Sequence, residues 1–272
     1  MKNTKAVLVV SFGTSHLDTL EKNIAAIEKT IGNALPAFDL YRAFTSEMIM
    51  KKLRNRDGID IDNVSTALNR LQQEGYHRVL IQPTHVINGD EYDKLCRLAD
   101  PFMEKISISI GTPLLTSIQD YKDTVAAIKN AIIPPSKDEA IVFMGHGTEH
   151  HANAAYALLE YMFHDFGWEH AFVGTVEGYP ALEQVIQQLK KYPKIKRIRL
   201  YPLMVVAGDH ANNDMAGEEE DSWYSQLKAE GYDVSCILHG LGEYESVRHL
   251  FAQHALTAHR KFAGLCASSL TK

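Results

Sequence analysis

An α/β fold made of two similar halves, each a four-stranded parallel sheet flanked by helices, is what the 272 residues predict. Short β-branched runs alternate with longer segments of helical period. The runs are apolar almost from end to end, as strands covered by helices on both faces require. Turn motifs of the first half return in the same order in the second, the signature of an internal repeat.

The first half holds strands at 5–12 (KAVLVVSF), 39–44 (DLYRAF), 77–82 (HRVLIQ) and 105–110 (KISISI). The second holds 140–145 (AIVFMG), 170–175 (HAFVGT), 195–203 (IKRIRLYPL) and 232–238 (YDVSCIL). Leu20, Ile24, Ile27 and Ile31 recur at helical spacing after the first strand. The same habit predicts helices over 92–99, 117–133, 153–164, 183–189 and 247–256.

The first strand of each half runs into a Gly-Thr-x-His step, Gly13-Thr14-Ser15-His16 and Gly147-Thr148-Glu149-His150. The third strands carry Pro83 and Pro202, followed six residues later by Gly89-Asp90-Glu91 and Gly208-Asp209-His210. Thr45-Ser46-Glu47 and Thr175-Val176-Glu177 follow the second strands. Three pairs in one order read as duplication of one flavodoxin-like half, with halves at 1–115 and 116–272. The break lies within 112–137, where Pro134-Pro135 ends a helix and stiffens the turn. The helix at 117–133 is assignable to either half.

Net charge is −6 and the isoelectric point about 6.1, which argues against a nucleic-acid partner. Cys96, Cys236 and Cys266 form no CxxC, so neither a disulfide framework nor a zinc ribbon is expected, and a reducing compartment is favoured. No apolar run approaches the roughly 18 residues of a membrane span. The run 6–10 after Lys2 and Lys5 is too short for a secretion signal. A cytoplasmic protein without membrane attachment is expected, with homo-oligomerisation left open. No glycine loop spells a P-loop or G-x-G-x-x-G, so nucleotide dependence is not supported.

Thirteen histidines stand out. Ligands of open α/β sheets bind beyond the carboxyl ends of strands, which singles out His146, between Gly145 and Gly147. An imidazole there also suits a cap for the helix at 153–164. His146 to His150 spells H-x-x-E-H, but a zinc-protease site needs both histidines on one helix, and these glycines predict a turn. His210 and Glu91 occupy equivalent places in the two repeats. With His146 they make two imidazoles and a carboxylate, a set suited to a divalent transition metal. Glu91 equally suits the first turn of its helix, where a carboxylate favours the dipole. His164, His249, His254 and His259 lie in helical patterns and read as surface residues; Glu218 to Asp221 read as a solvated loop.

Together VLVVSFGTSH, FTSEMIMKKLRNRDGIDID, HVINGDEYDK, VFMGHGTEHHA and PLMVVAGDHANNDM resemble the ATP-independent (class II) cobalt chelatases, the sirohydrochlorin cobaltochelatase family of the anaerobic cobalamin pathway. The resemblance covers nearly the whole chain. It implies two chelatase-like halves around a tetrapyrrole cleft and insertion of Co2+ into sirohydrochlorin. It implies no tightly bound cofactor, Co2+ being a substrate. The metal trio falls on His146, His210 and Glu91, with His146 also accepting pyrrole protons. Ser11, Phe12, Gly13, Thr14, His85 and Glu177 are expected to line the substrate, and Arg42, Lys52 and Arg54 are options for its carboxylates. Sirohydrochlorin ferrochelatase activity, or a tetrapyrrole or metal carrier without turnover, are the alternatives.

Overall fold

A computed structural model describes residues 4–268, with side chains as far as Lys261. The chain divides into two compact units, Met1–Thr116 with Arg248–Lys272, and Ser117–Val247.

In the first unit β1 (Lys5–Ser11) leads into a helix that begins as α1 (Leu17–Thr19), passes through a π-helical segment (Leu20–Ala25) and continues as α2 (Ala26–Ala34). There follow β2 (Asp39–Phe44), α3 (Glu47–Asp57), α4 (Val64–Gln73), β3 (Arg78–Pro83), α5 (Asp90–Ala99) and β4 (Ser107–Ile110). The sheet is parallel in the order β2-β1-β3-β4, with Val10 opposite Ala43 on one side and Pro83 on the other. Central position explains the unbroken apolar run of β1: Ala6 to Val10 are wholly buried, packed from both faces.

The second unit repeats the plan. After α6 (Ile118–Ala131) come β5 (Glu139–Gly145), α7 (Ala154–Asp165), β6 (Ala171–Thr175), α8 (Leu182–Leu189), β7 (Arg197–Pro202), α9 (Trp223–Ala229) and β8 (Asp233–Cys236). The order is β6-β5-β7-β8, again parallel, so each repeat places its first strand at the centre and its last at one edge. Short polar side chains start the helices where the sequence changes period. The Ser46, Asn63 and Ser222 side chains accept from the backbone N–H groups of Ile49, Thr66 and Ser225, and Ser117 forms a reciprocal box with Asp120.

All eight expected strands are present, with no end shifted by more than two residues. One boundary left open is fixed and one expectation changes. The helix at 117–133 belongs to the second unit, where the carbonyl of Ile133 accepts from Arg199 Nη2 at 2.8 Å. The second half does not run to 272, because α10 (Glu245–Ser268) joins the first unit from Arg248. Its side of the helix is tied there: Ser109 Oγ donates to the carbonyl of Ala258 (2.9 Å), and His254 Nδ1 to that of Thr112 (3.1 Å). The His259 ring meets Phe38 edge-on at 5.1 Å. His254 and His259 are therefore packing residues, not the solvated ones expected.

Two cations proposed for substrate carboxylates are already engaged. Arg42 grips buried Glu28 through Nε (2.7 Å) and Nη2 (2.6 Å), and Arg54 holds Asp60 through Nε (3.0 Å) and Nη2 (2.5 Å). Removing one partner of a pair with a buried carboxylate strands the other charge. Glu28→Ala is expected to lower stability by about 2 kcal/mol, measured by urea unfolding. Arg54→Ala, at an exposed pair, should change it by less than about 1 kcal/mol.

Candidate metal centre

The loop after β5 is shaped by two glycines. A Cβ on Gly145 would stand 2.4 Å from Cε1 of Tyr156, whose ring is buried beneath it. Gly147 has φ +83°, and a Cβ there would meet the backbone nitrogen of Gly178 at 2.6 Å. Only glycine combines that backbone with that approach. The contact continues the β5–β6 pairing beyond the strands: Val176 N donates to the carbonyl of Gly145 (3.1 Å) and Glu177 N to that of His146 (2.8 Å). Asn153 clamps the arrangement, accepting from Thr148 N (3.0 Å) and donating to the carbonyl of Tyr179. His146 and Glu177 are thus fixed side by side by main chain.

His210 arrives from the end of β7, immediately before a π-helical segment (Ala211–Met215) anchored by buried Ala211 and Met215. Such segments are frequent at functional sites. This one sets Asp214 Oδ2 2.9 Å from His210 Nδ1. His146 Nδ1 lies 2.9 Å from the carbonyl of Gly147 and 3.6 Å from Glu177 Oε2. Carbonyls and carboxylates accept, so in the neutral rings both Nδ1 atoms carry the proton and both Nε2 atoms keep the lone pair. The rings meet edge-on with centroids 4.7 Å apart. His146, Glu177 and His210 each offer a ligand atom within 4.8 Å of the others, the single such group among the described residues. Their side chains are 42%, 55% and 35% exposed, so a bound ion would retain open coordination positions.

Two of the three expected ligands therefore come together. Glu177, expected to line the substrate, is their carboxylate companion. Glu91 belongs to the first unit, in the first turn of α5, where Oε2 is buried without a hydrogen bond and 3.9 Å from Lys94 Nζ. The H-x-x-E-H stretch is no helix: His146 to His150 are loop, and a single 3-10 turn (His151–Asn153) follows. Of the residues expected around the substrate, Ser11 and Thr14 are buried with their hydroxyls engaged internally, Ser11 by Thr84 Oγ1 (2.8 Å) and Thr14 by His16 N (3.2 Å). Gly13 has φ +108° and lies against the Phe44 ring. Phe12 is 42% exposed. His85 has both ring nitrogens buried without partners; burial, reinforced by the Lys94 charge, lowers its pKa to about 4 and keeps it neutral. Asp214 was not among the expected residues, although a carboxylate four places after a histidine is a readable signal.

Removing the carboxylate behind a metal-ligating histidine commonly weakens metal binding about 10–100-fold. Asp214→Ala is expected to do so for Co2+, measured by competition with a chromogenic chelator, while the melting temperature changes little. For His85 the folded pKa lies below the unfolded value of about 6.5. Its contribution to stability is therefore complete above about pH 6.5 and is lost as pH falls towards 4. Thermal melts across that window should decline less steeply for His85→Leu than for wild type.

The profile of the family described as Cobalt chelatase (CbiK) matches residues 5–260. The chain is similar to the sirohydrochlorin cobaltochelatase of Salmonella typhimurium, 46% identical over 253 residues, spanning 92% of this chain and 94% of the relative. It is 32% identical over 262 residues to sirohydrochlorin cobaltochelatase CbiKC of Nitratidesulfovibrio vulgaris, spanning 93% and 90%. Among solved structures, SirB from Bacillus subtilis with Fe3+ shares the fold at a TM-score of 0.65 and 14% identity, over 94% of this chain and 95% of that one. CbiX, described as the terminal enzyme for biosynthesis of siroheme in denitrifying bacteria, does so at 0.56 and 16%, over 93% and 98%. With a profile match along nearly its whole length and relatives of this identity and coverage, the chain belongs to the cobalt chelatase (CbiK) family.

Proposed function

We infer that the protein inserts Co2+ into sirohydrochlorin, and that His146, His210 and Glu177 hold the ion before transfer. The observation that carries this reading is two imidazoles and a carboxylate, each offering a ligand atom within 4.8 Å of the others, at a half-exposed place in a member of a chelatase family. A closed cage of four ligands would suit permanent retention; three open ones suit a metal that must leave. Two neutral rings and one carboxylate leave a divalent ion with one net positive charge, enough to be drawn to the electron-rich macrocycle.

Insertion replaces two pyrrolic protons by one divalent ion, so a base is needed at the ring nitrogens. His146 is suited to the task because its Nδ1–H is held by the carbonyl of Gly147. Its Nε2 binds the ion first and, as the ion passes to the macrocycle, takes the two pyrrolic protons in turn and hands each to water. The metal–nitrogen bonds formed provide the driving force, in keeping with a sequence that has no nucleotide-binding loop. No other cofactor is called for. Glu91 keeps the metal-carboxylate role that the family resemblance gives it. We assign the working protein to the cytoplasm; among the described residues no helix is long and apolar enough to cross a membrane.

Mixing the protein anaerobically with sirohydrochlorin and Co2+ and following the macrocycle's absorbance tests the reading. A rate no faster than the spontaneous one would overturn it, and a faster rate with Fe2+ would reassign the metal. His146→Ala is expected to lower kcat/KM by at least about 100-fold. Glu177→Gln should raise KM for Co2+ about tenfold with little change for sirohydrochlorin. A wild-type KM for Co2+ in Glu91→Ala would remove Glu91 from the metal path.

A further inference from the structure

The duplication gives each metal-site residue a counterpart in the first unit. His146 corresponds to Phe12, Glu177 to Glu47 and His210 to Glu91, by the shared Gly-Thr, Thr-x-Glu and Gly-Asp steps and the shared strand order. Neither imidazole has an imidazole counterpart. In their places stand an exposed phenyl ring and a carboxylate, a set without the imidazole donors of the second unit.

A different kind of site occupies that sheet end. Lys94, from the second turn of α5, reaches the end of β2, where Nζ donates to the carbonyl of Thr45 at 2.6 Å. The next residue, Ser46, donates its N–H to the carbonyl of Phe12 at 3.2 Å, so ammonium and phenyl ring belong to one neighbourhood. An ammonium has three donors, and this carbonyl takes one. Glu91 Oε2, at 3.9 Å, lies beyond hydrogen-bond reach. Glu91 Oε2 at 3.9 Å from this ammonium, Thr45 Oγ1 on the residue whose carbonyl it holds, and both nitrogens of His85, on which its charge acts, are buried without partners. Buried polar atoms in that state await a group that will pair with them. Arg42, Arg54 and Arg56, by contrast, are each hydrogen-bonded to a carboxylate of their own unit.

We propose that Lys94, assisted by the imidazole N–H of His85, binds a carboxylate side chain of the tetrapyrrole, with the Phe12 ring against the macrocycle face. The assignment rests on the function inferred above. A carboxylate arriving here gains two charge-assisted hydrogen bonds that Glu91 does not make. The first repeat then grips the organic substrate at the sheet end that corresponds to the one offering metal ligands in the second.

The test compares Lys94→Met and Lys94→Arg with wild type, titrating sirohydrochlorin and its fully esterified form and reading the macrocycle's absorbance. Lys94→Met is expected to weaken the acid about tenfold, the loss of one charge-assisted contact, and to leave the ester unchanged. Lys94→Arg should stay within about threefold of wild type, because it keeps the charge. Co2+ affinity should be the same in all three, which also reports that the fold is intact. Should Lys94→Met not fold, His85→Leu replaces it, with an expected loss of about threefold confined to the acid. Wild-type affinity for the acid in these variants, or equal losses for acid and ester, would overturn the assignment. Wild-type protein that neither binds sirohydrochlorin nor inserts Co2+ would instead overturn the function itself and this assignment with it.

Discussion

The site of the second unit depends on one close approach, that of the backbone at Gly145–Gly147 to the backbone at Thr175–Gly178. Without side chains at 145 and 147 the two segments exchange main-chain hydrogen bonds past the strand ends, and His146 and Glu177 face a common point. A β-carbon at either glycine would collide with a buried ring or with peptide atoms less than 3 Å away. Tyr156 shows how tightly this is drawn. Its ring fills the space beneath Gly145, while its hydroxyl accepts from Gly147 N at 3.5 Å. Burial holds that phenol's pKa above its ordinary value, so it stays a neutral acceptor for that N–H.

The same frame explains how one architecture carries two chemistries. Parallel strands in the order 2-1-3-4 deliver three loops to one sheet end in each unit. Which chemistry appears there depends on a few positions within those loops. An imidazole and a Thr-x-Glu carboxylate give a place for a cation; a phenyl ring with a lysine one turn further along the helix gives a place for an anionic, flat molecule. The hydrophobic interiors tolerate this divergence because they do not share its residues: β1 and β5 are buried along the apolar stretches that precede their loops.

Much of the fold was legible because burial on both faces leaves an unmistakable apolar run, and because repeated turn motifs supply the register. The boundary was not. A helix such as α10 is amphipathic whichever unit it serves, and only Ser109, Thr112 and Phe38 show where it belongs. His146 and His210 were legible from glycine spacing and from the repeat. Glu177 was seen at the right strand end as a substrate residue, but its place beside His146 was not legible, since the approach that joins them depends on φ at Gly147. Asp214, four places after His210, went unseen because no helix was read over 210–215, so the spacing had no element to act on. Arg42 and Lys94 are indistinguishable in sequence as available cations; the difference lies in Glu28, which folding delivers to one and not to the other.

Exposure of the candidate metal site bears on how such a site could both take up and release an ion. An ion held by three donors, each between a third and a little over half exposed, keeps water in its remaining positions and can exchange those waters for pyrrole nitrogens one at a time. Burial and a fourth protein ligand would deepen the well from which the ion has to climb. Too loose a set would fail differently, since unfixed rings would have to be ordered each time an ion arrived. The hydrogen bonds from the two Nδ1 atoms, to the carbonyl of Gly147 and to Asp214, meet that second demand without adding a ligand. Rigid donors at an open site are the arrangement that allows both capture and release.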